Sequence, residues 1–198
     1  MRSDNALVSA LYWNGDPPLR PLPDEVGRLL RTLRAPPRLA AHLRLVHDVA
    51  VQLADWVRRA HPEAVLDREA VLFGAATHDV GKVLHPGELT GPGSAHEEAG
   101  RALLAARGYE PRLARFAGTH AAWTAPGTAL EDLLVSLADK IWKDRRVPEL
   151  EDLVLRRLAA ARGCAPWEVL PALDDELTRL GAGARERLEF QAAYPVHA

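Results

Sequence analysis

His78 and Asp79 stand side by side at the end of an apolar run, Ala70-Val71-Leu72-Phe73-Gly74-Ala75-Ala76-Thr77, and Gly81-Lys82 follow almost at once. An imidazole next to a carboxylate is metal-ligand chemistry. Adjacent residues on a helix nevertheless point about 100° apart, so the pair cannot enclose an ion alone. His42, His96, His120 and Asp139 recur inside or at the edge of other helix-like segments and are the candidates to converge on it. Imidazoles mixed with carboxylates suit a divalent transition ion such as Mn²⁺, Fe²⁺, Co²⁺, Ni²⁺ or Zn²⁺. The set is too rich in nitrogen for a dedicated Mg²⁺ or Ca²⁺ cage. A core of His42, His78, Asp79 and Asp139 would leave octahedral positions open for water and a substrate oxygen. His96 and His120 would complete that shell, hold a second ion, or stand over the substrate. With a second ion, Asp79 is the natural bridge.

Each candidate has its own argument. His42 shares a helical stripe with Leu45, Val46, Val49 and Leu53 and should point inward. His47 competes for the same role but has the weaker apolar face, so His42 is preferred. Asp79 and Asp139 interrupt apolar runs, where an unpaired carboxylate costs several kcal/mol. Lys140 does not account for Asp139, because neighbours in a helix do not face one another. His96 follows a flexible Gly/Pro loop, and His120 closes a short apolar segment. Lys82 is placed to reach a phosphate, and Lys140, Lys143 and Arg146 form a second cationic group able to steer an anion. His85 is ambiguous. Trp123 and Trp142 could stack on a base, Asp132 and Glu97 are carboxylates without a supporting pattern, and Cys164 reads as a small hydrophobe.

The elements that must position these groups read as helices. No long segment alternates apolar and polar residues as a half-buried strand would. The region from Asn14 to Pro23 is a Pro-rich lead-in, and Asp24 caps a short helix to Arg34, stopped by Pro36-Pro37. Further helices are expected over Arg38–Ala60, Glu69–Asp79, Ala95–Arg107 with Ser94 as N-cap, and Pro111–His120. The rest would run over Ala129–Lys143, Glu149–Arg162, Pro166–Leu180 and Ala184–Ala193. The expectation is one all-α domain: a lead-in and short helix over 1–37, a metal-binding core over 38–146, and C-terminal helices over 147–198 on the same body.

Bulk properties narrow the function. A formal charge of −2 disfavours a protein devoted to nucleic acid. A single cysteine excludes an internal disulfide and suits a reducing, cytoplasmic setting. No stretch looks like a signal peptide or a membrane span. The helices after Glu149 would either cover the site or form the contact of a homodimer.

The ordered set H…HD…H…H…D, with His-Asp-x-Gly-Lys at 78–82 and Ala138-Asp139-Lys140-Ile141 later, resembles the HD-domain superfamily of metal-dependent phosphohydrolases. The likeness spans about Arg38 to Arg146 and implies a single-domain helical bundle holding one or two divalent ions. It also implies hydrolysis of a phosphoester or phosphoanhydride through a metal-activated water, with Asp79 and Lys82 in the catalytic role. The substrate would be a small phosphorylated molecule, a nucleotide first among the candidates. The separate His96 and His120 are similar to two-metal members such as the bacterial diadenosine-tetraphosphate hydrolases of the YqeK type, although the loop from Val57 to Asp67 is longer here. Ala121 follows His120 where HD-GYP phosphodiesterases carry a second histidine, and no Gly-Tyr-Pro motif is present, which disfavours cyclic-di-GMP as substrate. The competing classes are a metal-bearing regulatory module without turnover, an all-α interaction protein with buried histidines, and an iron-dependent oxygenase.

Overall fold

The computed structural model describes residues 2–196; their regular elements are all helices, with no strand among them. In chain order the helices are α1 (Arg2–Tyr12), α2 (Asp24–Thr32), α3 (Pro37–Ala60), α4 (Arg68–Thr77), α5 (Ala95–Ala106), α6 (Pro111–Ala114) and α7 (Phe116–Thr119). They continue with α8 (Leu130–Ile141), α9 (Pro148–Arg162), α10 (Pro166–Gly181) and α11 (Ala184–Ala192). Two 3₁₀ turns, Val80–Val83 and Pro86–Leu89, link α4 to α5.

Helix α3 is the axis of the fold. Pro37 opens it at the first turn, where a missing N–H costs nothing, and its apolar residues cover nearly its whole circumference. It therefore packs on several partners at once: α1, α4, α8, α10 and α11. One hydrophobic core runs from Leu7 to Tyr194, so the C-terminal helices share the body that carries the site.

Several local expectations change. Residues 2–12 form a helix that the sequence reading did not identify. What docks it is Arg44 of α3, whose buried guanidinium donates to the carbonyls of Ala10, Trp13 and Leu19 while its Nε donates to that of Arg20. Such a staple is invisible to periodicity. Asp24 is the first helical residue rather than a cap, and α2 ends two residues early as Arg34 turns to positive φ. Asp67 caps α4 by accepting from the Ala70 N–H, and α4 stops at Thr77, which leaves His78 and Asp79 at its exit. The expected helix Pro111–His120 is instead two short helices meeting at Arg115, where a tightened bond from Gly118 N–H to the Arg115 carbonyl resets the turn that delivers His120.

Candidate metal centre

Four segments converge at one end of α3. His42 comes from α3, His78 and Asp79 from the exit of α4, His96 from the first turn of α5, His120 from the end of α7, and Asp139 from α8. None of the six is more than 8% exposed. They fall into two triplets of donor atoms, His42–His78–Asp139 and Asp79–His96–His120.

Asp79 joins the triplets. Its Oδ2 lies 3.2 Å from His42 Nε2 and 3.7 Å from His78 Nε2, while its Oδ1 lies 3.1 Å from His96 Nε2 and 3.6 Å from His120 Nε2. Asp139 Oδ1 is 3.6 Å from both His42 Nε2 and His78 Nε2, and those two nitrogens are 3.3 Å apart. Neighbouring donors on one ion, each at about 2.0–2.2 Å, lie roughly 3.0–3.5 Å from one another in octahedral or tetrahedral shells. The observed spacings fit ligation.

The donor chemistry fits too. His78 Nδ1 donates to the Ala75 carbonyl at 3.0 Å, and His120 Nδ1 to that of Ala117 at 3.1 Å. His96 Nδ1 lies 2.5 Å from Glu88 Oε2. Each outer bond leaves Nε2 as a lone pair aimed inward, the usual support of a ligating imidazole. His42 is held differently, by the Trp142 ring packed edge-on at 5.2 Å between centroids. Asp79 Oδ1 and His96 Nε2 are buried and near one another without the alignment of a hydrogen bond. Two buried lone pairs left that way are what a cation would satisfy.

Electrostatics set the ionisation state. Burial works to raise the carboxyls of Asp79 and Asp139, but charge and hydrogen bonds from the surrounding imidazoles hold both well below the ordinary range. Burial pushes His42 down, and it pushes His120 down to about 4 with help from His78. Burial acts downward on His96 as well, yet the nearby Asp79 carboxylate and the bond to Glu88 outweigh it and raise the ring. Anionic Asp79 and Asp139, with His42 and His120 pushed toward the neutral form, are the state in which those groups can ligate a metal.

Cationic groups border the cluster. Lys82 Nζ is 2.6 Å from Asp79 Oδ2. Lys140 Nζ is 2.6 Å from Asp139 Oδ2, which corrects the expectation that this neighbour could not reach. The four-carbon chain curls back although the two Cβ vectors diverge. Lys140 also lies 5.5 Å from the centroid of Trp123, and Lys143 lies 5.4 Å from that of Trp142 and is lowered by burial.

Other candidates are engaged elsewhere. Arg146 forks onto Glu151 at 2.8–2.9 Å and reaches Asp174 at 2.7 Å, so its guanidinium is committed to joining α9 and α10. His47 lies buried on a different face of α3, among the charges of Asp48, Arg20, Arg68 and Arg44. Asp132 accepts from Arg115, Thr119 and the Ala129 N–H, a structural role. His85 is half-buried in the loop. Ser94 makes no capping bond, because Glu88 takes the N–H groups of Ala95 and His96. Glu88 itself was missed: it lies in a Gly/Pro-rich loop, where no periodicity points to a partner.

The HD domain family model matches residues 39–142, just over half of the chain, and spans all six donors. The chain belongs to the HD domain family, whose members bind divalent metals and are mostly metal-dependent hydrolases. No curated protein and no solved structure gives a significant match.

Proposed function

We propose that the protein is a metal-dependent phosphohydrolase acting on a nucleotide or another small phosphorylated metabolite. The observation that carries the reading is the divided carboxylate of Asp79, one oxygen beside each histidine pair, which would let one residue help hold two ions. Divalent ions held there would supply Lewis acidity and a water with a pKa near neutrality. Asp79 would hold the ions through its two oxygens, and Lys82 would contact the phosphoryl group. Phosphoryl transfer asks the protein for position and positive charge more than for covalent work. Lys82, Lys140 and Lys143 provide that charge at the rim of a buried cluster, where it is screened less than in water.

The nucleotide preference is supported by Trp123, half-buried in the loop after His120. Its ring lies under the ammonium of Lys140, which also touches Asp139. A base stacked on that indole would have its phosphates within reach of the lysines.

The test pairs metal content with turnover. Wild type and Asp79→Asn are analysed for bound transition metal and then assayed for phosphate release from a panel of nucleotides and phosphoesters. The reading expects one or two equivalents of metal in wild type, with metal and phosphate release both lost in the variant. Bound metal with no release across the panel would leave a metal-bearing regulatory module, and no metal after reconstitution with Mn²⁺, Fe²⁺ and Ni²⁺ would overturn the site.

A further inference from the structure

We propose that Glu88 is the positioning residue that makes His96 a metal ligand, and so gives the Asp79–His96–His120 half of the centre its own affinity for an ion. The inference rests on the metal-centre reading above.

The three histidines with an engaged Nδ1 differ in where that support comes from. His78 and His120 donate to carbonyls three residues earlier in their own chain segments, Ala75 and Ala117. Helical geometry presents those acceptors automatically. His96 is the second residue of α5, so no preceding helical turn offers a carbonyl to its ring. The acceptor must come from another segment, and it is Glu88, from the 3₁₀ turn Pro86–Leu89.

The glutamate is held tightly for this task. Its Oε2 accepts from His96 N–H at 3.2 Å and Oε1 from Ala95 N–H at 3.1 Å, in addition to the 2.5 Å contact with His96 Nδ1. The His96 bond is the chief reason the Glu88 carboxyl sits below its ordinary range. Gly93, at φ +155°, makes room: a β-carbon there would fall 2.5–2.7 Å from the Glu88 carboxyl carbon and its neighbouring methylene. The half formed by His42, His78 and Asp139 is built by α3, α4 and α8. The other half hangs one ligand on a loop carboxylate. Loss of that carboxylate should release one ion and spare the other.

Full-length metal-free protein is titrated with Mn²⁺ and followed by calorimetry and electron paramagnetic resonance. Wild type should bind two ions and give the signal of a spin-coupled pair. Glu88→Gln should weaken one binding event about 10–100-fold, the usual loss on removing an outer-shell partner, and leave isolated Mn²⁺ at one equivalent. Gly93→Ala, which displaces Glu88 without altering its chemistry, should produce the same selective loss. A purely capping role is separated by Glu88→Ala combined with Ser94→Asp, which restores an N-cap. The proposal expects the Tm of that pair to recover while the weak ion stays weak.

Recovery of both would overturn it, as would a coupled pair persisting in Glu88→Gln, or a single ion in wild type that Glu88→Gln leaves unaltered. A wild type that binds no Mn²⁺ would sink the underlying metal reading, a result distinct from any of these.

Discussion

Gly81 and His96 touch through their backbones: a β-carbon on Gly81 would overlap the carbonyl oxygen of His96 and come within 2.6 Å of Gly100 N. The glycine two residues after Asp79 therefore lets α5 press against the turn that carries the ligand pair. Gly81→Ala should force the two backbones apart, destabilising the fold by about 1–3 kcal/mol as overpacking does. It should also move His96 off Asp79 Oδ1. Chemical denaturation reads the first effect and a metal titration the second; unaltered values in both would mean that the contact relaxes freely.

Removing a ligand should be more severe than removing its support. In His78→Ala or Asp79→Asn, metal affinity should fall further than the roughly 10–100-fold typical of an outer-shell loss, because Asp79 has an oxygen beside each histidine pair and His78 sits between Asp79 and Asp139. Saturating metal should raise the Tm of wild type, by an amount equivalent to about 2.7 kcal/mol at a hundred times Kd, and should not raise that of Asp79→Asn. Equal thermal shifts in the two proteins would argue that the ion sits elsewhere.

His47 supplies a pH dependence that is separate from the ligands. Burial pushes it from 6.5 down to about 4 in the folded protein, while the unfolded chain protonates it near its ordinary value. Between those values the unfolded state binds the extra proton, so the His47 contribution is complete above about pH 6.5 and drains away as the pH falls toward 4. The full span is on the order of 3 kcal/mol. His47→Gln should flatten the stability profile of metal-free protein across this window, as measured by urea midpoints from pH 7 to 4.5. A slope as steep as that of wild type would assign the titration to other groups.

Lysine and arginine variants should divide by location. Lys140→Ala and Trp123→Ala should raise KM for a nucleotide substrate by roughly tenfold or more, equivalent to a charge-assisted contact or a stacked base at about 1–3 kcal/mol. Arg146→Ala should leave KM within about twofold and instead lower Tm, since its partners are Glu151 and Asp174. A KM effect confined to Arg146 would reverse this assignment.

Much of the centre was legible because burial is written into periodicity. Asp79 and Asp139 stood out as carboxylates inside apolar runs, and both prove buried among imidazoles. His42 and His47 lie about 140° apart around a helix, so only one could face the centre. The stripe with Leu45, Val46 and Val49 selected His42, and its Nε2 lies 3.2 Å from Asp79. Proline likewise marked some helix boundaries, as at Pro36-Pro37 between α2 and α3, at Pro111 and at Pro166.

What escaped the sequence depends on distances between segments that no local pattern encodes. Glu88 and His96 meet through a loop, Arg146 reaches Asp174 across 28 positions, and Arg44 staples a helix 34 positions away. Lys140 bends back to Asp139 along a flexible chain whose rotamer only its surroundings select. The amino-acid order by itself determined which side chains point inward and that they are imidazoles and carboxylates. The tertiary structure alone decided that one oxygen of Asp79 faces each histidine pair, because that division arises from how α3, α5, α7 and α8 pack around the exit of α4, and packing is a property of the assembled core.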